Sequence, residues 1–335
     1  MIERAHVSLT VAVTSVGRTK DLALNLASLF EQTDRPERII VVAQASDLDT
    51  QEMARQFGVD VVVVPESGVA RAVEAAILAA ETEVIAFVDD DARALPDWTC
   101  RIRESFREDP TLGLLGGRDN VNGDRRAGTA SLRVGVIRRG RLIGNHHLGH
   151  GPARPSSHVK GANMSMRVAP ARTVPLTALV HGDGAQARSE LMLSLGILNG
   201  GYTGRYDPSI QVDHFPALRR AGDERTRHSF SRVRLQRLNE TLALSIYGSR
   251  GQLFQHLVWN ALVGDRNCYG VVQAIRRLAA GDRTALSRLA GSLNGLGAGL
   301  GAARRLARTA TSSSRSGPLG RARVAPGGTA PAEHD

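Results

Sequence analysis

Cysteine is scarce in this sequence: Cys100 and Cys268 are the only two among 335 residues. That is too few for a disulfide framework, their separation is not that of a metal cage, and a reducing cytosol is the expected compartment. Lysine is nearly missing too. Lys20 and Lys160 are the whole complement, and arginine supplies the rest of the positive charge. No apolar run approaches the roughly 18 to 20 residues that span a bilayer, so a soluble or peripheral protein is expected. The chain enters a strand-like run at Val7–Val13 with no small-residue cleavage site behind it, and no signal peptide is expected. No G-x-G-x-x-G follows that run, which disfavours a dinucleotide-binding Rossmann domain.

The most informative stretch that is present is Val84-Ile85-Ala86-Phe87-Val88-Asp89-Asp90-Asp91. A short, wholly apolar run of this kind reads as a strand buried on both faces, inside a sheet covered by helices. Three adjacent carboxylates at its end repel one another and are costly to desolvate, so a hard divalent cation or nearby arginines must offset them. In extended geometry Asp89 and Asp91 leave the same side, making a D-x-D pair suited to Mg2+ or Mn2+. The bland alternative is a solvated acidic turn that caps the next helix.

Strand and helix patterns alternate through the first half. Strands are expected at 7–13, 39–42, 59–64 and 84–88, and helices at 21–32, 49–57, 69–80 and 96–106. This β-α-β-α order with buried strands predicts an α/β fold with a doubly wound, mostly parallel sheet flanked by helices, whose ligands sit at the carboxyl ends of the strands. Further strands are expected at 131–136, 141–144 and 210–212, and a further helix at 186–199.

Several motifs recur in one order: Thr14-Ser15-Val16-Gly17-Arg18 after the first strand, Gly68-Val69-Ala70-Arg71 opening a helix, Phe87–Asp91 with Leu95-Pro96-Asp97-Trp98, then Gly161-Ala162-Asn163-Met164, Glu190-Leu191 and Val212-Asp213-His214. Over roughly 7–216 the chain resembles the family 2 glycosyltransferases of GT-A fold. The resemblance implies an inverting transfer of a sugar from a nucleotide-sugar donor to a hydroxyl acceptor, with Mn2+ or Mg2+ holding the diphosphate. By similarity, Asp91 is the main metal ligand, Asp89 a metal or ribose contact, and His214 a further metal or phosphate contact. Thr14, Arg18, Arg71 and Asp90 fall on the donor side. Glu190 is the expected general base and Asp183 the alternative. Trp98, Gly161, Ala162 and Asn163 would line the acceptor. One departure stands out. The family's second strand usually ends in an aspartate that reads the nucleotide, whereas here Ala43 holds that place, so Gln44, Ser46 or Asp47 must serve and the donor base is not fixed.

The net charge of +10 is unevenly spread: residues 1–214 carry 24 Lys/Arg against 26 Asp/Glu, and residues 215–335 carry 19 against 7. The organisation expected is a GT-A-like domain over 1–216, a basic amphipathic helical appendage over 217–308, and a disordered tail over 309–335. The appendage's apolar face with flanking arginines suits an anionic inner membrane leaflet, where a lipid-linked acceptor would be found; packing on the domain or on a second copy suits it equally. The expected partners are a nucleotide-sugar donor and a glycan or lipid-linked acceptor, with no nucleic acid. The expected location is the cytoplasm, including the inner face of the cell membrane, in cell-surface glycan or glycolipid synthesis. Two other readings compete, a nucleotidyltransferase and a degenerate family member that binds sugar without catalysis.

Overall fold

The computed structural model describes residues 6–125, 133–184, 186–216 and 229–315, the last with side chains to 309. The first half alternates as the apolar pattern requires: β1 (Leu9–Thr14), α1 (Thr19–Phe30), β2 (Arg38–Gln44), α2 (Leu48–Gln56), β3 (Asp60–Val64), α3 (Val69–Ala79) and β4 (Val84–Val88). After β4 come a short β5 (Ala92–Ala94), α4 (Trp98–Glu108) and a long β6 (Leu112–Val121). A two-stranded hairpin, β7 (Val136–Arg138) and β8 (Arg141–Ile143), stands apart from the main sheet. The chain returns through β9 (Arg154–Pro155), β10 (Asn163–Arg167), the short helices α5 (Val168–Ala171) and α6 (Leu176–Leu179), α7 (Ser189–Asn199) and β11 (Thr203–His214).

The main sheet runs in the order β3-β2-β1-β4-β10-β6-β11-β5, with β9 added beside β11. The four N-terminal strands are mutually parallel, as is the β6–β11 pair. β10 lies antiparallel between β4 and β6, so the sheet is mixed at its centre. Successive residues of β1 serve opposite layers: Leu9, Val11 and Val13 join the core of α1 and α4, while Ala12 joins that of α3, α7 and α8. All five residues of β4 are buried, as a strand covered on both faces requires.

Behind the sheet lie α8 (Phe230–Tyr247), α9 (Arg250–Leu262), α10 (Val271–Ala279) and α11 (Ala285–Arg315). The stretch expected as a helical appendage, 217–308, thus holds these four helices, with residues 217–228 lying outside the described ones. Gly248 ends α8, and a capping box between Ser249 and Gln252 starts α9. α11 packs along α8 through Gly291, Gly295 and Gly299, one stripe at four-residue spacing. A Cβ on Gly295 would stand 2.5 Å from the Arg234 carbonyl oxygen, so two backbones meet where no side chain fits. Helix continues as far as Arg315, past the position 309 at which the tail is expected to begin; residues 316–335 lie outside the described ones. The strand expected at 131–136 begins only at Val136, with Ser131 and Leu132 also outside.

Candidate active site

The three carboxylates follow β4 at its carboxyl end, and each has a different environment. Asp90 is buried. It accepts from Ser15 Oγ at 2.7 Å and from Arg18 Nη1 at 2.9 Å, which fastens the turn to the loop after β1. Asn25 Nδ2 adds bonds to the carbonyls of Asp89 and Ala92. Arg18 also lies 3.3 Å from Asp91. The three carboxylates lie on a turn rather than on extended chain, closed by the Ala92 N–H donating to the Asp89 carbonyl at 3.0 Å, and this turn, not strand alternation, brings Asp89 and Asp91 together.

His214 meets them from the last residue of β11. That strand pairs antiparallel with β5, His214 opposite Ala92, and Phe215 N donates to the Asp91 carbonyl at 2.8 Å. Pairing thus carries the imidazole over the carboxylates: Nε2 is 3.2 Å from Asp91 Oδ1 and 4.0 Å from Asp89 Oδ2. One ligand atom from each of Asp89, Asp91 and His214 lies within 4.8 Å of the others. Burial opposes charge on His214, but Asp119 and Asp91 outweigh it and push the pKa up to about 9. Asp89 is partly exposed, at 43% of its side chain; its partial burial, opposed by His214, and then the like charges of Asp91 and Asp90 push the pKa up to about 6. Two carboxylates crowded together with one imidazole are the donor set of a divalent cation such as Mn2+, which tolerates nitrogen beside oxygen. The residues therefore fit the metal expected at this position.

Asp119, on β6, was not anticipated. It is 1% exposed in its side chain, its Oδ2 lies 3.5 Å from His214 Nδ1, and it accepts from Lys160 Nζ. Burial works against its charge, and His214 with Lys160 more than offsets that, holding the carboxyl below its usual range. The sequence held a clue: the apolar residues at the start of β6 give way to Arg118-Asp119-Asn120, much as β4 gives way to its carboxylates.

Lys160 leads into Gly161, and Glu190 stands against that glycine. A Cβ on Gly161 would be 3.3 Å from Glu190 Oε1. Glu190 is half-buried in the first turn of α7, and among the described residues its carboxylate accepts no hydrogen bond. Lys160-Gly161 therefore joins two acidic groups, Asp119 on the metal side and Glu190 on the other. Asp183, the alternative base, is exposed on the loop before α7. That loop is held by α8: Asn239 accepts from His181 N and donates to the carbonyls of His181 and Ala187, each at 3.0 Å. Arg188, in a left-handed conformation at φ 76°, reaches Glu240 at 2.6 Å. Glu240 is 1% exposed and pairs with Arg237, also 1% exposed, which continues to Asp265 at 3.0 Å. The counter-charge of Arg188 thus comes from α8.

Other expected residues lie elsewhere. Trp98 is fully buried and donates its indole N–H to Asn163 Oδ1 at 2.9 Å, so its ring is closed to a sugar. Asn163 is buried as well, donating to the carbonyls of Arg118 and Ile210, and Ala162 lies in the core. The Trp98–Asn163 pair thus fastens α4 to β10 within the sheet; of the acceptor set, Gly161 alone is partly accessible. Asp47 is also committed. It caps α2 through Thr50 and accepts from Gly17 N, tying the first two loops together. Thr14 and Gln44 are partly exposed at the ends of β1 and β2, Ser46 is exposed, and Arg71 forms a surface pair with Glu66 at 2.9 Å.

Residues 10–172 match the family model described as Glycosyl transferase family 2. Among solved structures, GalNAc-T7 with UDP, GalNAc and Mn2+ superposes with a TM-score of 0.56 at 13% identity, over 83% of this chain and 55% of that one. The chain thus spans about half the length of that relative. A mycobacterial protein gives a TM-score of 0.47 at 16% identity over 72% of this chain and 75% of its own. The mannosyltransferase PcManGT from Pyrobaculum calidifontis, in complex with GDP-Man and Mn2+, gives 0.43 at 16% identity over 94% and 77%. No curated protein sequence matches.

Proposed function

We propose, from the match of residues 10–172 to the Glycosyl transferase family 2 model, that this chain acts as a member of that family and transfers a sugar, with inversion, from a nucleotide-sugar donor to an acceptor hydroxyl. The observation that carries the reading is the convergence of Asp89, Asp91 and His214 at the carboxyl end of β4, the position where sheets of this type hold ligands. These three residues would hold Mn2+ or Mg2+, whose charge offsets the negative charge that builds on the departing diphosphate.

Glu190 is the general base. The acceptor oxygen attacks the anomeric carbon from the side opposite the diphosphate, the bond from that carbon to the phosphate oxygen breaks, and the hydroxyl proton passes to the Glu190 carboxylate. Gly161 gives the acceptor close access, because it leaves the space beside Glu190 empty. Arg18, bridging Asp90 and Asp91, holds the acidic turn against the loop that faces the donor. Thr14, Gln44 and Ser46 border the nucleotide, with Ala43 withdrawing the carboxylate usual there. The acceptor is a glycan or lipid-linked hydroxyl of cell-surface glycan or glycolipid synthesis, met on the cytoplasmic face of the membrane.

Thermal melting with UDP, GDP, dTDP and CDP, each with Mn2+ and with EDTA, tests the premise. A ligand at 100 times its dissociation constant stabilises a fold by about 2.7 kcal/mol. One nucleotide should raise the melting point, and EDTA should remove the shift. Four nucleotides without effect would leave a binder without a donor site and refute the proposal.

A further inference from the structure

The outer faces of α9 and α10 are apolar and open. On α9, Phe254, Val258 and Leu262 repeat every four residues and point outward, with Phe254 67% exposed, while His256 and Asn260 face inward. On α10, Val272, Ile275 and Leu278 are exposed, and Ala274 is the one buried residue of the helix, set against Tyr269, Ala285 and Leu289. A helix that buries one alanine gains little from the core it touches; its larger apolar surface faces away.

The charge around this face has one sign. Neither α9 nor α10 contains an aspartate or glutamate, and residues 229–315 hold thirteen arginines against three carboxylates. Each of those carboxylates is already paired with an arginine: Glu240 and Asp265 with Arg237, Asp282 with Arg288. Arg276 and Arg277 border the apolar row of α10 in its last turn. The β7–β8 turn adds exposed Arg138, Arg139 and Arg141 beside α9, with Arg141 5.0 Å from the Trp259 ring and Gly140 tight against the Gln255 carbonyl. Among the described residues none of these five arginines pairs with a carboxylate.

We infer that the α9–α10 face docks on an anionic lipid bilayer, the apolar row entering the interface and the arginines meeting the headgroups. An apolar stripe rimmed by arginine is the pattern of helices that lie in a membrane surface, and anionic headgroups supply the counter-charge the helices lack. A second copy of the chain fits less well, because it would set the same arginines against each other. Among the described residues no helix is long and apolar enough to cross a membrane, so contact through this face is peripheral.

Sedimentation of the full chain with vesicles tests this. The wild type should pellet with vesicles of equal parts phosphatidylcholine and phosphatidylglycerol, stay in solution with phosphatidylcholine alone, and be released by salt. Phe254→Glu/Ile275→Glu should weaken binding by at least about tenfold, since two buried side chains are lost. Arg276→Gln/Arg277→Gln should weaken it by about fivefold per arginine. All four positions are exposed, and unchanged melting curves would confirm that the variants fold. Equal binding to neutral and anionic vesicles, or variants that bind as the wild type does, overturns the inference. So does a wild-type dimer that the glutamates dissociate without any vesicle binding, which would assign the face to self-association. The measurement needs no donor or metal, so its outcome is independent of the transferase reading.

Discussion

Replacing Glu240 by glutamine isolates the contribution of the charge buried between α8 and α7. The wild-type carboxylate is enclosed by Arg237 and Arg188, and although burial raises its pKa, the two guanidinium groups more than offset that and bring it down to about 2 from the ordinary 4.5. A carboxyl lowered in the folded state contributes stability above its unfolded pKa and loses it as pH falls toward the folded one. A shift of that size is worth about 3 kcal/mol, the lower end of the 3–5 kcal/mol typical for removing one partner of a buried pair. Glutamine keeps the shape and leaves Arg237, buried on all sides, with Asp265 as its remaining counter-charge. Urea unfolding followed by circular dichroism should therefore show Glu240→Gln less stable by about 3 kcal/mol at neutral pH. The gap should close with acid, more than half of it gone by about pH 3. A variant within about 1 kcal/mol of wild type at neutral pH, or a gap that acid leaves unchanged, would refute this account of the cluster.

The remaining predictions concern the site and its frame. Asp91→Ala should abolish the Mn2+-dependent thermal shift with nucleotide, and a full shift in that variant would remove Asp91 from the metal set. Glu190→Gln should retain nucleotide binding while transfer falls by about 10²- to 10⁴-fold; near-normal turnover would move the base to Asp183. Asp119→Asn should weaken Mn2+ binding about 10- to 100-fold, because the group behind His214 would no longer be an anion; direct titration of Mn2+ by electron paramagnetic resonance reads this without turnover. Gly295→Leu should part α11 from α8 and destabilise the fold by more than about 2 kcal/mol, whereas the same change at exposed Gly297, which no atom approaches within 4 Å, should leave stability unchanged or raise it by up to about 1 kcal/mol, since leucine is the better helix former.

The parts of the fold that were legible are those with local causes. β4 was readable to the residue because a wholly apolar pentapeptide ending on three carboxylates has few other uses. The N-terminal helices kept their apolar spacing and drifted only at their ends. β10 was not readable: Asn163-Met164-Ser165-Met166-Arg167 has little strand character of its own, and it extends because β4 and β6 bond it on both sides. The same tertiary cause misled the reading of Trp98. An exposed tryptophan and a buried one look alike in sequence, and the partner that decides, Asn163, lies 65 residues away. For Asp119 the local signal is only the switch from apolar residues to Arg118-Asp119-Asn120; its role follows from the strand that brings His214 alongside it.

The antiparallel placement of β10 also bears on the order in which the chain can be built. When residues 1–94 have left the ribosome, β1 to β4 can pair in parallel, but one edge of β4 stays bare until residues 163–167 emerge. An apolar strand with an unpaired edge is a site for non-native pairing. The carboxylates at its tip add mutual repulsion that Arg18 can ease from within the same fragment, while His214 arrives about 125 residues after Asp89. The main sheet and the metal-ligand set are therefore completed by the same strand, β11, and a truncated chain ending before it would hold a sheet without the chemistry that distinguishes it.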